Sequence, residues 1–419
     1  MTKSLNVVFL LDNYYPKFSP VAKCAYNIAD ELSTGFNVLI ITLDGVDKTN
    51  QVECLGSQKV VRGYIEDFEI RRKSESSWNR KNVILKVKLI FIRTKRYLSA
   101  IFSRINLQKD IVTCYLDAMN KMNIDVIIPV CLPFESVAAA VIYKKSNPKT
   151  IMIPFLFDRF TYNRSLHRNN LNRLIKQKAH KSLEHEMYLY SDHIFAMHQL
   201  KQNFMQIFSE NLEKFSFVEH PLLKCMSLPN RDSMDNKIRL LYAGALYKKY
   251  RTPEYLLKVF GMLKGEFVLD FYSTGNCEGL INRYIKGANN QVNRRGYVSI
   301  KELEQAYANA DILISIGNFK SQNLASKTFE YMSTGKPIVH FYENEKDPVL
   351  DLLNKYPMAL TIRQDAKCIK ENALRFKDFC NKHKNYVINF EEVTAKYKDA
   401  TPAEVAKYFE EKINIANQN

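Results

Sequence analysis

The chain has 419 residues, of which 46% are hydrophobic and 25% are charged, a composition that excludes a disordered or fibrous protein. Lys and Arg number 61 against 44 Asp and Glu, a formal net charge of +17. Such a surplus usually indicates an anionic partner: nucleic acid, an acidic membrane surface or a phosphorylated ligand.

Short apolar runs typical of strands alternate with helical patterns over most of the chain. The strand-like runs lie at 6–11, 38–41, 126–130, 151–155, 194–197, 239–243, 268–272 and 312–316. This alternation predicts an α/β protein with parallel sheets that are covered by helices on both faces. No run of about 18 uncharged apolar residues predicts a membrane-spanning helix. The apolar run at 7–11 is too short for a signal peptide, so we expect a cytoplasmic protein.

The alternation is interrupted around 217–237 by Pro221, Pro229 and the polar run at 230–237. A chain of this length usually holds two domains of roughly 100–200 residues each. We therefore predict one β/α domain at 1–217 and a second at 218–400.

The positive charge is concentrated in the first half, where residues 59–110 hold 14 Lys and Arg against 5 Asp and Glu. Helical geometry places one set of apolar side chains on a single face, with Lys86 and Arg93 on its flank. The set is Val83, Ile84, Val87, Ile90, Phe91, Leu98, Ile101, Phe102 and Ile105. An apolar face edged by cations suits the headgroup region of an anionic bilayer. The alternative is a helix that packs this face on the core.

A second basic stretch, 159–181, contains seven Lys and Arg and no acidic residue. It follows the end of a predicted strand, where ligand clefts form in parallel sheets. Arg159, Arg164 and Arg168 are therefore candidates to meet a phosphorylated acceptor, and a solvated basic helix is the alternative. Since no helix-turn-helix, zinc-finger or aromatic-rich RNA motif is present, we do not expect nucleic acid to be the partner.

In the second half, the run 240–251 predicts a strand, a glycine turn at Gly244 and three cations ahead of a helix. Lys248, Lys249 and Arg251 at such a strand–helix junction suit a diphosphate. A surface turn that happens to carry three basic residues is the alternative.

The run 310–339 predicts a buried strand, a short loop, a helix that begins near Ser326 and another strand. Free amides at the start of this helix favour an anion. Glu330 lies about one turn into it, where a carboxylate can accept both hydroxyls of a ribose. The alternative is a solvated glutamate, but the helix around it is mostly apolar.

These motifs resemble the nucleotide-sugar half of GT-B-fold glycosyltransferases, particularly the retaining family 4 enzymes of bacterial surface-polysaccharide assembly. The strongest match is Ser326-Lys-Thr-Phe-Glu-Tyr-Met-Ser-Thr-Gly-Lys-Pro-Ile-Val339, and the resemblance covers roughly 240–340. It implies two Rossmann-like domains that face each other across a cleft, with a C-terminal helix at 401–416 that returns to the first domain. The N-terminal half matches only in layout.

The resemblance also implies roles for individual residues. Glu330 would bind the ribose of the donor. Lys248, Lys249 and Arg251 would neutralise the charge of its diphosphate. The backbone near Tyr297–Val298 would recognise its base. We assign Lys249 and Arg251 a catalytic role for this reason.

Three further residues, Gly244, Ser326 and Lys327, are assigned to the donor site. The family's pair of glutamates eight positions apart is here Gln322 and Glu330, a departure that bears on the identity of the sugar. A histidine expected near the acceptor cleft is missing, and Asp158 or Arg159 is the candidate to fill its catalytic role.

The expected activity is transfer of a sugar from a UDP- or GDP-linked donor to a lipid-linked oligosaccharide or polysaccharide acceptor on the inner face of the membrane. Retention of configuration is implied by the resemblance. Fixed cations, and no Asp-x-Asp motif in a plausible position, predict a metal-independent reaction without a cofactor. The alternatives are a sugar-nucleotide epimerase on the same fold and a non-catalytic protein that binds nucleic acid or membranes.

Overall fold

The structure is a computed structural model that describes 4–15, 19–46, 51–56, 58–75, 82–163, 166, 170–209, 212–232, 236–263, 267–287, 291–319 and 327–418. The chain divides into two compact units. The first contains Met1–Pro221 and Pro402–Asn419, and the second contains Leu222–Thr401. The division after Pro221 lies four residues beyond the boundary predicted at 217.

The first unit is an α/β unit around one sheet. Its elements are β1 (Asn6–Leu10), α1 (Pro20–Leu32), β2 (Asn37–Thr42), β3 (Gln51–Leu55), β4 (Gln58–Arg62), α2 (Glu66–Glu75), α3 (Val83–Phe102), α4 (Lys109–Met119), β5 (Val126–Cys131), α5 (Phe134–Ser146), β6 (Ile151–Met152), β7 (Phe155–Leu156), α6 (Asn170–Tyr190), β8 (Ile194–Met197), α7 (Lys201–Phe208) and β9 (Phe215–Val218).

The described strands of this sheet run in the order β3-β4-β2-β1-β5-β7-β8-β9, and β6 also pairs with β5. The pairs are parallel except for β3 with β4. The single strand predicted at 151–155 is wrong, because the chain forms two short strands on either side of Pro154. Proline has no backbone N–H to donate to a ladder, so a strand is interrupted there.

The second unit holds β10 (Ile238–Leu246), α8 (Glu254–Phe260), β11 (Phe267–Gly275), α9 (Glu278–Gly287), β12 (Gln291–Arg294), α10 (Ile300–Asn309), β13 (Ile312–Ile316), α11 (Lys327–Ser333), β14 (Ile338–Tyr342), α12 (Pro348–Asn354), β15 (Ala359–Arg363), α13 (Ile369–His383) and α14 (Phe390–Lys396). Its described strands form a parallel sheet in the order β12-β11-β10-β13-β14-β15.

Both faces of this second sheet are buried. Along β10, Leu240 and Tyr242 pack into one apolar cluster, whereas Leu241 and Ala243 pack into the other. Successive side chains of a strand point to opposite faces, so helices must cover both sides. The sequence of β10 is therefore a nearly continuous apolar run, which is typical of parallel strands that are buried on both faces.

The last helix, α15 (Pro402–Gln418), belongs to the first unit, where it packs against α1 and β6. Its Phe409 ring stacks on Phe195 of β8, with 4.0 Å between the ring centroids. The same ring meets Phe155 of β7 edge-on at 5.2 Å. None of the described helices combines the length and the apolar character that crossing a membrane requires.

Candidate functional site

The second sheet has a topological switch point between β10 and β13. From β10 the chain continues to β11 and β12 on one side, while β13, β14 and β15 lie on the other. In open parallel sheets, ligands bind beyond the carboxyl ends of the strands at this point. The segments that follow β10 and β13 therefore form the candidate site.

Three hydrogen bonds bring these segments together. The Phe319 N–H, just after β13, donates to the Tyr250 carbonyl in the turn after β10 at 2.8 Å. The Tyr331 hydroxyl of α11 accepts from the Ala243 N–H of β10 at 2.8 Å. After β11, the Asn276 side-chain oxygen accepts from the Lys248 N–H at 2.9 Å. The turn after β10 is thus tied to its neighbours on both sides.

The Glu330 carboxylate, on the first turn of α11, is held by two donors. The Tyr307 hydroxyl of α10 donates to Oε1 at 2.8 Å. Lys327 Nζ lies 2.7 Å from each carboxylate oxygen. The Glu330 side chain is 35% exposed and that of Lys327 is 30% exposed, so the carboxylate is oriented by the protein yet open to a ligand.

The three predicted cations lie in the turn that follows β10. Lys248 and Lys249 are exposed, and Arg251 is half-buried. Backbone hydrogen bonds between Tyr247 and Arg251, at 3.0 and 2.8 Å, close the turn. The Arg251 Nε atom is buried without a hydrogen-bond partner among the described residues. Lys248, Lys249 and Arg251 therefore lie together in one short turn beside the switch point of the sheet.

The predicted glycine turn at Gly244 is wrong. Gly244 lies inside β10, which continues to Leu246 because β11 offers ladder partners as far as Gly275. Its φ of +150° is a backbone conformation that glycine adopts without a steric penalty. The turn begins at Tyr247, so Gly244 shapes the strand end and not the turn.

Tyr297 and Val298 lie in the loop between β12 and α10. Tyr297 is exposed and Val298 is half-buried. Gly296 before them has a φ of +73°, and Ser299 after them caps α10 in the capping box that the sequence predicts. The loop follows β12, which is separated from β10 by β11.

Four predicted site residues lie outside the described residues: Gln322, Ser326, Arg164 and Arg168. Lys327, which is described, begins α11.

Asp158 and Arg159 follow β7 in the first unit. Asp158 accepts hydrogen bonds from the Arg159 N–H at 2.7 Å and from Asn163 Nδ2 at 3.2 Å. Burial raises the pKa of Asp158, although both hydrogen bonds and the Arg159 charge oppose this shift. Asp158 and Arg159 are half-buried, and they lie at the carboxyl end of a strand, where the sequence predicts a ligand cleft.

The helix predicted from the apolar and basic pattern is α3, which starts at an Asn82 N-cap. Lys86 and Arg93 are exposed. Of the helix's side chains only Ile92 is fully buried, so the predicted apolar face does not pack on the core. Its exposed members are Val83, Ile84, Val87, Ile90, Phe91, Leu98 and Phe102.

The predicted extent of this face to Ile105 is wrong. The helix ends at Phe102, and Ser103 has an extended conformation. Its hydroxyl donates to the Ile105 carbonyl at 2.8 Å, which stabilises a chain direction that leaves the helix.

Sequence reasoning did not assign roles to Tyr307, Tyr331 or Asn276, which the structure places around the predicted residues. Tyr307 lies within the stretch of roughly 240–340 that resembles the family, and no residue pattern there predicts its contact. Its contact with Glu330 spans 23 residues of sequence. Local periodicity carries no information on such a contact.

Comparison with known proteins agrees with this architecture. Residues 237–351 match the family described as Glycosyl transferases group 1. None of the curated proteins matches the chain.

Several solved structures share the fold. The lipopolysaccharide outer core galactosyltransferase WaaB, in its apo form, is 14% identical with a TM-score of 0.57, covering 98% of this chain and 99% of its own. The catalytic domain of starch synthase IV from Arabidopsis thaliana, bound to ADP and acarbose, is 10% identical with a TM-score of 0.55 and covers 100% of both chains.

A third similar structure is a trehalose-6-phosphate structure from E. coli bound with UDP-2-fluoro glucose. It is 10% identical with a TM-score of 0.58, and it covers 99% of this chain and 97% of its own. Likenesses at this identity show the fold, which is the two-domain α/β fold of the GT-B glycosyltransferases. Residues 237–351 match a glycosyltransferase group 1 domain, and a chain with this domain on this fold is an enzyme.

Proposed function

We propose that this glycosyltransferase moves a sugar from a UDP- or GDP-linked donor to a lipid-linked oligosaccharide or polysaccharide acceptor on the inner face of the membrane. The observation that carries the proposal is the oriented Glu330 carboxylate at the switch point of the domain 237–351. Among the similar structures, one holds UDP-2-fluoro glucose and another holds ADP, which is consistent with a nucleotide-linked donor.

In this proposal the second unit binds the donor. Glu330 accepts the ribose hydroxyls, since a carboxylate offers about four acceptor positions. Tyr297 and Val298, which follow β12, contact the base. Lys327, Ser326, Gln322 and Gly244 complete the donor site. The exposed position of Tyr297 leaves its ring free to stack on a base.

The reaction needs a group that stabilises negative charge on the departing diphosphate. Lys248, Lys249 and Arg251 share the turn after β10, and fixed cations at a leaving group are an effective source of transition-state stabilisation. We assign this role to them and propose a reaction without a metal ion or cofactor. Retention of configuration follows from the family resemblance, and no protein base is assigned to it.

The acceptor is assigned to the first unit. Asp158 and Arg159 lie after β7, and the basic residues Arg164 and Arg168 follow in sequence. Asp158 is assigned the role of the missing acceptor-side histidine, and its raised pKa suits a carboxyl group that hydrogen-bonds an acceptor hydroxyl. The basic residues suit the phosphate of a lipid-linked acceptor.

The membrane assignment is supported by α3. Over its 20 residues the helix carries Lys and Arg but no Asp or Glu. Seven side chains of the predicted apolar face are exposed, among them Phe91 at 70% and Phe102 at 80%. Exposed apolar surface of this size marks an interaction site, and a basic border favours anionic lipid headgroups as the partner.

The neighbouring helix α6 extends the same kind of surface. Asn172 and Lys176 of α6 both donate to the Ala100 carbonyl of α3, at 2.9 and 2.5 Å. Leu171, Leu174 and Ile175, on the same part of α6, are exposed. The two joined helices thus both contribute exposed apolar side chains to the proposed membrane surface.

Donor binding tests the proposal at Glu330. Calorimetric titration of the purified protein with UDP and with GDP should show binding of one of them. The variant Glu330→Ala should bind that nucleotide at least about tenfold more weakly, because hydrogen bonds to a charged group contribute about 1.5–3 kcal/mol.

Glu345→Ala is the matched control. Glu345 is an exposed glutamate of the same unit that pairs with Arg363 at 3.2 Å, and its removal should leave nucleotide affinity unchanged. If the wild-type protein binds neither nucleotide, the proposed donor is wrong. Unchanged affinity in Glu330→Ala would remove Glu330 from the site.

A further inference from the structure

Tyr307 contacts Glu330 of the proposed donor site and has no assigned role. It lies on α10 and is 1% exposed, and its hydroxyl donates to Glu330 Oε1 at 2.8 Å. The buried Tyr307 hydroxyl can therefore influence the direction of the partly exposed Glu330 carboxylate in the candidate site.

Contacts from three elements set the position of Tyr307. The capping box of Ser299 and Glu302 fixes the start of α10. The Tyr307 ring meets the Tyr331 ring edge-on, with 6.0 Å between centroids, and Tyr331 is itself hydrogen-bonded to Ala243 of β10. The hydroxyl therefore occupies a position that is set by α10, α11 and β10 together.

Burial and the neighbouring charge of Glu330 raise the pKa of Tyr307 well above its usual range. The phenol therefore remains protonated at neutral pH and donates to Glu330.

Lys327 differs from Tyr307 as a partner of Glu330. Its side chain is 30% exposed, and lysine is a point charge on a flexible stem that does not fix direction. It can exchange its hydrogen bonds to the carboxylate for contacts with water or a phosphate. Tyr307 has no such freedom, because it is buried.

We propose that Tyr307 is a positioning residue. It holds Oε1 of Glu330 so that the remaining acceptor positions of the carboxylate meet the two neighbouring hydroxyls of a ribose, and this makes the site selective for ribonucleotides over 2′-deoxyribonucleotides. The inference rests on the proposed function, in which Glu330 binds the donor ribose. Orientation of a binding group by a second, buried residue is a common way to sharpen selectivity.

The test compares Tyr307→Phe with Tyr356→Phe. Tyr356 is also buried, at 4% exposure, and lies in the same unit, where its hydroxyl donates to the Lys336 carbonyl at 2.9 Å. Each variant removes one buried hydroxyl. Affinities are measured by calorimetry for UDP or GDP, whichever the wild-type protein binds, and for its 2′-deoxy form.

The wild-type protein should prefer the ribonucleotide. Tyr307→Phe should weaken ribonucleotide binding about tenfold and change 2′-deoxynucleotide binding less than about twofold, because the Glu330 carboxylate loses the donor that fixes its direction toward the ribose hydroxyls. Tyr356→Phe should leave both affinities as they are. In a variant that already carries Glu330→Ala, which removes the acceptor of the Tyr307 hydroxyl, adding Tyr307→Phe should weaken binding no further.

Each other outcome overturns a defined claim. If the wild-type protein binds neither nucleotide, the proposed function fails and this inference fails with it. If the wild-type protein discriminates but Tyr307→Phe does so equally well, only the role of Tyr307 is wrong. If Tyr307→Phe weakens both nucleotides alike, as a merely structural residue would, selectivity does not depend on Tyr307.

Discussion

At the scale of single residues, two glutamates of this protein have opposite surroundings. Glu330 is partly exposed and receives hydrogen bonds from a phenol and an ammonium group. Glu184 of α6 is 1% exposed and accepts a hydrogen bond from the Thr161 hydroxyl. Burial raises the pKa of Glu184 to about 7 from its usual 4.5, although the hydrogen bonds from Thr161 and Phe160 oppose this shift.

The pKa of Glu184 predicts a pH dependence of stability. Because the folded protein holds this proton up to about pH 7 and the unfolded chain only to its usual value, the stabilisation is complete below pH 4.5 and is lost as the pH rises through 7. The variant Glu184→Gln lacks this dependence. Relative to wild type, its free energy of unfolding should therefore rise between pH 5 and pH 8, by up to roughly 3 kcal/mol.

Denaturant unfolding of both proteins at the two pH values measures this difference. Glu186→Gln is the control, because Glu186 is a half-exposed glutamate of the same helix that pairs with Lys145 at 2.8 Å. If the prediction is right, the free energy of unfolding of Glu184→Gln minus that of wild type differs between pH 5 and pH 8. Equal values at the two pH values would show that Glu184 is ionised in the folded protein throughout this range, which contradicts the prediction.

The sequence predicts Glu330 as a binding residue, but it does not predict what holds Glu330. The motif that contains Glu330 is local, within 326–339, whereas Tyr307 reaches it from another helix. Likewise, the sequence shows Glu184 only as one of two glutamates that follow the basic stretch 159–181. Its burial depends on where α6 packs, and helical periodicity alone does not determine that.

At the scale of elements, five of the eight predicted strand runs match a strand within one or two residues, because buried parallel strands are continuous apolar runs. The runs predicted at 194–197 and 312–316 match β8 and β13. The errors occur where a single residue changes the backbone. Pro154 divides a predicted strand into β6 and β7, and Gly244 continues β10 where the sequence predicts a turn.

Helix α3 shows a different limit of prediction. Its pattern predicts an apolar face with a basic border, but the same pattern fits a helix that is packed on a core. Only the three-dimensional structure shows that Phe91 and its neighbours are exposed. This is why the membrane proposal depends on the structure and not on periodicity.

The membrane proposal predicts an effect of Phe91→Ser on lipid binding. The full-length protein should float with vesicles that contain anionic lipid at low salt. Burying a phenylalanine side chain contributes about 1.5–3 kcal/mol, so the variant should partition into vesicles at least about tenfold more weakly. Vesicle flotation at several lipid concentrations measures this partition.

Leu374→Ser is the matched control for this experiment. Leu374 of α13 is an apolar side chain of the second unit, with exposure similar to that of Phe91, and its replacement should leave flotation unchanged. If the wild-type protein fails to float at low salt, α3 is not a membrane surface. Equal losses in both variants would mean that α3 has no special role.

At the scale of the whole molecule, the chain forms two units, and its C-terminal helix joins the first of them. Phe409 of α15 packs between Phe155 and Phe195 of the first sheet, so the first unit contains both ends of the sequence. The family match covers 237–351 and lies within the second unit. The acceptor assignment therefore rests on Asp158, Arg159 and α3, for which the comparisons offer no support from sequence.

The central claim is that the protein transfers a sugar from a nucleotide-linked donor to a membrane lipid or polysaccharide acceptor. The most direct measurement supplies the purified full-length protein with radiolabelled UDP- and GDP-sugars and an acceptor extract of bacterial membranes. The account predicts that label from one donor enters the acceptor fraction, and that Glu330→Ala transfers at least about tenfold less at subsaturating donor. Interconversion of the donor sugar without an acceptor, or no turnover with any donor, would contradict it.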